Sequence, residues 1–80
     1  MSQIIQRLRA VLHVRGRSRS SHYLDIQQGL FTHAVRLGLR AVGWPSSEVE
    51  AINAARIAGK TDEEIRVLVV KLEAARKAAE

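Results

Sequence analysis

Residues 34–45 read AVRLGLRAVGWP, and no other stretch limits the choice of fold as much. Val35, Leu37 and Leu39 alternate with Arg36, Gly38 and Arg40. That is the period of two a strand requires, with a glycine placed for a turn near 38–40. Pro45 cannot extend a strand ladder and presets the backbone for a helix start. A β-hairpin therefore sits inside a chain whose flanks both follow helical spacing.

On the N-terminal side, Ile4, Ile5, Leu8, Val11 and Leu12 fall on one face of a helix expected over 2–13, with Gln3, Gln6, Arg7 and Arg9 opposite. Gly16 interrupts it, and Ser18 is placed to cap a second helix over 19–28 that stops at Gly29. This helix is expected to bury Tyr23, Ile26 and His22 and to turn Arg19, Ser20 and Gln27 outward. After Pro45, Ser47 and Glu50 form a capping box ahead of a third helix with Val49, Ile52 and Ala55 inward, ended by Gly59. Thr61 and Glu64 form a second box, opening a helix with Ile65, Leu68, Val69, Leu72 and Ala75 on its inner stripe. Toward the end, AARKAAE reads as a fraying helix terminus. The expected class is mainly α with a small β-hairpin, in the order helix, helix, hairpin, helix, helix.

Eighty residues suit one domain, close to the size at which a single core suffices. Residues 1–60 would form its body and 61–80 a helical extension. Without cysteine there is no disulfide or thiolate metal site, and a reducing interior is the default. His13, His22 and His33 fit no metal-ligand spacing, and no cofactor is expected. No apolar run could span a membrane, and no secretory leader is visible at the N-terminus, so the bacterial cytoplasm and its nucleoid are the expected location. A mitochondrial transit peptide is the processing alternative, since the first 24 residues are rich in Arg and Ser and free of acids.

The net charge of +5 is unevenly placed. Up to residue 44 stand Arg7, Arg9, Arg15, Arg17, Arg19, Arg36 and Arg40 against Asp25 alone, whereas acids slightly outnumber bases beyond it. Every base in the first half is arginine, whose planar fork suits phosphate and guanine. A polyanionic partner follows. The acids Glu48, Glu50, Asp62, Glu63 and Glu64 crowd two helix starts, where the macrodipole explains them without catalysis. No glycine-rich phosphate loop occurs. The chain reads as a non-enzyme.

Two helices about a glycine turn, followed by a basic hairpin, are the layout of a winged helix-turn-helix. The run SRSSHYLDIQQGLFTHAVRLGLRAVGWPSSEVEA resembles AlpA-type phage regulators and small excisionase-like proteins, relatives of the MerR-like winged-helix group. The likeness covers about 7–58 and is most specific at Val35, Leu37, Gly38, Arg40, Val42, Gly43 and Trp44. It implies a double-stranded DNA-binding prophage or mobile-element regulator, or a factor steering a recombinase toward excision. By the same likeness Arg19 and Ser20 would open a recognition helix in the major groove, with Ser21 on a phosphate. Tyr23 and Ile26 would pack that helix. Arg36 and Arg40 would reach phosphate or minor groove from a wing over 34–44, and Trp44 would seal it. Arg17 stands where the family usually has an apolar residue, and His22 where it has Ile or Val. Leu24 is apolar where a polar residue is common.

The residues leave some alternatives open. Arg15, Arg17 and Arg19 flank a turn before a capped helix, which favours DNA over a merely solvated surface. For Arg7 and Arg9 the two readings stand level. Trp44 could stack a base, although its place between strand and proline suits the core. The helix over 62–78 carries Val67 and Val70 outside its inner stripe, so it either wraps a small core or docks on a recombinase, a polymerase or a second copy of the chain. Structured RNA is a third candidate partner, weakened by a total of three aromatic residues.

Overall fold

Punctuation residues set the helix limits. In the computed structural model, which describes residues 4–78, Gly16 takes a left-handed φ of 66° and closes α1 (Leu8–Arg15). Ser18 caps α2 (Arg19–Gln27), its hydroxyl accepting from the Ser21 N–H at 3.2 Å. The hairpin has β2 (Val35–Arg36) and β3 (Val42–Pro45) joined through a bend at 38–40, as the alternation predicts. Next come α3 (Ser46–Ile57) and α4 (Asp62–Ala78). Thr61 and Glu64 form the expected capping box, each backbone N–H donating to the other's side chain at 2.9 and 3.2 Å. Among the described residues no helix is long and apolar enough to cross a membrane.

The first element departs from expectation. Ile5–Gln6 form a short strand, β1, antiparallel to β3, with Ile5 opposite Pro45 and Gln6 opposite Trp44. Ser2 and Gln3, the expected start of the first helix, lie outside the described residues. Helical spacing at Ile4 and Ile5 is overridden by a backbone requirement. The buried turn from strand to helix at 44–46 needs partners, and the Ser46 N–H donates to the Ile4 carbonyl at 2.7 Å. The sheet order is therefore β1-β3-β2, with β2 on one half of β3 and β1 on the other. Gly43 is required at the crossing. A Cβ there would lie 2.5 Å from Ile5 Cγ2 and 3.0 Å from the Gln6 carbonyl oxygen.

A second departure concerns α3. It starts at Ser46, one residue before the expected cap Ser47, and the capping position falls to Pro45, whose ring makes no cap bond. Glu48 instead is buried and receives Arg76 from α4, with Nε and Nη2 at 2.7 and 2.6 Å from its two oxygens.

The core gathers Val11 of α1, Leu30 and Phe31 of the loop after α2, Trp44 of β3, Val49 and Ile52 of α3, and Ile65 and Val69 of α4. Ile26 lies half-buried at its edge. Tyr23, expected in the core, is 41% exposed. Trp44 is fully buried, and its Nε1–H donates to the Thr32 carbonyl at 2.9 Å. Ala75, expected on the inner stripe of α4, is exposed, and Arg66 of α4 donates to the Gln28 carbonyl behind α2 at 2.9 Å. The last helix thus braces the end of α2 as well as the start of α3.

Candidate nucleic-acid interface

What α2 turns inward is polar. At 100° per residue, His22 and Asp25 share a face, and both are buried. Asp25 accepts from Arg15 Nη2 at 2.8 Å and from Arg17 Nε and Nη2 at 3.1 and 2.9 Å. Arg15 Nη1 donates to His22 Nδ1 at 2.8 Å, which leaves the proton of the neutral ring on Nε2. The Arg15 guanidinium also lies 4.0 Å from the Phe31 ring centroid, a cation–π contact. One carboxylate thus ties the end of α1 and the turn to the inner face of α2. Arg17 is held against the inner face of α2 because Asp25, eight residues on, neutralises it there.

Burial and neighbouring charge set the protonation of this cluster. Desolvation, reinforced by the Arg15 charge, pulls the His22 pKa down to about 4. Desolvation likewise lowers Arg15, with Asp25 working against it. The imidazole edge packs on Trp44 at 4.8 Å between centroids and an interplanar angle of 78°. A neutral His22 therefore serves as an aromatic core residue. Between α3 and α4, the Glu48 bonds raise Arg76. Burial would raise Glu73, but the His33 backbone N–H and ring, at 2.7 and 2.9 Å from its Oε2, hold it below the ordinary range.

The candidate DNA-contacting residues divide into two sets. The Arg15 side chain is only 4% exposed, and Arg17, at 42%, keeps a solvent-facing edge while bound to Asp25. Ser21 is half-buried, its hydroxyl accepting from Ser18 Oγ at 3.0 Å within the cap. Arg19 and Ser20 are exposed in the first turn of α2, which contains no acid to compete for its positive end. Arg36 on β2 and Arg40 in the bend are also exposed, with Leu39 between them 97% exposed at the hairpin tip. Arg7, Arg9, Arg19, Arg36 and Arg40 make no ion pair among the described residues. No group of three or more His, Cys, Asp or Glu side chains among those residues could hold a metal ion.

Sequence reasoning missed the counter-ion role of Asp25 and the exposure of Tyr23. The first had a signal. Asp25 is the sole acid of the arginine-rich half and lies three residues after His22, on the same helix face.

Two short helices about a capped turn, with a three-stranded antiparallel sheet ending in a basic hairpin, are the parts of a winged helix-turn-helix. A family model described as "Prophage CP4-57 regulatory protein (AlpA)" matches residues 4–57. The chain belongs to this AlpA family of prophage regulatory proteins. It is also similar to "Uncharacterized protein ORF88" of Enterobacteria phage P4, with 46% identity over 54 residues, which cover 68% of this chain and 61% of that relative. No solved structure matches the chain.

Proposed function

We propose that the chain binds double-stranded DNA in a sequence-specific way, as a small phage or mobile-element transcriptional regulator or excisionase-like factor of the MerR-like group. In this reading α2 lies in the major groove and the hairpin over 34–44 acts as wing. Residues 1–60 form the DNA-contacting body, 61–80 extend it, and the protein works in the bacterial cytoplasm, on the nucleoid, without catalysis. The carrying observation is the partition of the arginines. Two of the seven up to residue 44 are committed to Asp25, and among the described residues Arg7, Arg9, Arg19, Arg36 and Arg40 are left without an ion pair. Five arginines matched to phosphates imply a slope of log K against log salt of about −4 to −5. Fluorescence anisotropy of a labelled duplex across a salt series measures it, and a flat response would sink the reading. Arg19→Ala should weaken a specific site more than random DNA, and Arg40→Ala should weaken both alike.

A second reading makes the protein an interaction module that docks through α4 on an integrase or on a second copy of itself. It is favoured by Val67 and Val70, 58% and 68% exposed beside the packed stripe of that helix. Sedimentation at high concentration tests the self-association form, which a strict monomer would exclude.

A further inference from the structure

With His22 and Asp25 turned inward, the opposite side of α2 carries Ser20, Leu24 and Gln27, with Tyr23 at its edge. Leu24 is 49% exposed although the helix's packing needs are met on its other side. These four residues, with Ile26 and His33, line a shallow open groove of about 640 Å³. No side chain lining it is a carboxylate, and Arg19 lies just before it in the first turn of α2. The surface is thus apolar and amide-bearing with a cation at one end.

The major-groove edge of an A·T pair offers a matching set of groups. The thymine 5-methyl is the apolar group on that edge, while adenine N7 and N6 form an acceptor–donor pair that a carboxamide meets with two bonds. Leucine and glutamine three apart on a helix have Cβ atoms about 5–6 Å apart. Successive base pairs rise about 3.4 Å, so both side chains fall within one dinucleotide step. We infer that α2 reads a step containing A·T, with Leu24 against the thymine methyl and the Gln27 carboxamide on adenine N6 and N7. The inference rests on the reading that α2 enters the major groove, and it names what is recognised there. Arginine, the usual guanine reader, is absent from positions 20–27.

The test starts by selecting bound sites from a random duplex pool with the full chain. Anisotropy then compares the selected duplex with copies carrying deoxyuridine for single thymines, or 7-deazaadenine for single adenines. Wild type, Leu24→Ala and Gln27→Ala are measured on each, with circular dichroism to verify folding. One deoxyuridine should weaken wild type about four-fold, the worth of one buried methyl, and should leave Leu24→Ala unaffected. One 7-deazaadenine should weaken wild type about five-fold or more and leave Gln27→Ala unaffected. Selected sites without A·T pairs, or analogue effects equal in wild type and variants, would overturn the inference while leaving DNA binding intact. A pool from which the chain selects nothing would instead overturn the major-groove reading beneath it.

Discussion

Asp25→Ala should lose about 3–5 kcal/mol of stability, the usual cost of stripping a buried charge of its partner. For a chain of 80 residues the whole stability is about 4–12 kcal/mol, so this variant should be largely unfolded or nearly so at 25 °C. Both Arg15 and Arg17 donate to that carboxylate, and the Arg15 side chain is only 4% exposed. Arg17→Ala should cost much less, because Arg17 is partly exposed and Asp25 would keep Arg15. Repacking the whole cluster with apolar groups, as Arg15→Met, Arg17→Leu, His22→Ile and Asp25→Leu together, should recover most of what Asp25→Ala loses. Urea unfolding followed by circular dichroism measures all three. A loss below about 1 kcal/mol for Asp25→Ala would show that water solvates the arginines and that the network is not a buried one. The repacked variant also separates structure from recognition. If it folds and keeps its DNA affinity, neither Arg15 nor Arg17 touches phosphate.

Acid should weaken the fold through His22 before Glu64 and Glu73 protonate. His22 has a folded pKa of about 4 against an ordinary value of 6.5, so the unfolded chain takes up its proton first. Stability from this group is whole above about pH 6.5 and falls as the pH drops toward 4. The slope approaches 1.4 kcal/mol per pH unit, and the total is about 3 kcal/mol. Glu64 and Glu73, held below their ordinary value of 4.5, contribute with the same sign but only below that pH. The window from 4.5 to 6.5 therefore isolates the histidine from these two. His22→Gln retains an acceptor for Arg15 and cannot titrate there, so its stability should be much flatter across the window. Equal slopes in wild type and His22→Gln would place the titration elsewhere.

The features legible in the sequence are those with local causes. Gly16, Ser18, Gly29, Gly59 and the Thr61–Glu64 box mark helix ends because caps and left-handed positions act within a turn. The hairpin was legible for the same reason, with alternation and turn inside one ten-residue span. The missed features depend on distant partners. Ile5 and Gln6 become a strand only because Trp44 and Pro45 offer an edge. Glu48 looks like an ordinary first-turn acid until Arg76, 28 residues later, folds over it. Tyr23, expected inward, is exposed because the inner face of α2 is fixed by His22 and Asp25, which lie about 100° and 160° around the helix from it. At the candidate interface, the exposed Arg19, Arg36 and Arg40 could be picked out from charge and turn position. The burial of Arg15, and the tie of the partly exposed Arg17 to Asp25, could not, because arginine is exposed by default and only a buried acid reverses that.

The one tryptophan has a practical consequence. Trp44 contacts the edge of the His22 ring, donates to the Thr32 carbonyl and lies in the strand that carries both sheet pairings. Its indole therefore sits where the seat of α2 meets the base of the hairpin, shielded from water. The emission wavelength and quantum yield of this single fluorophore become an intrinsic gauge of whether the helix is seated. They can be read without a label, at micromolar concentration, and in the presence of a duplex.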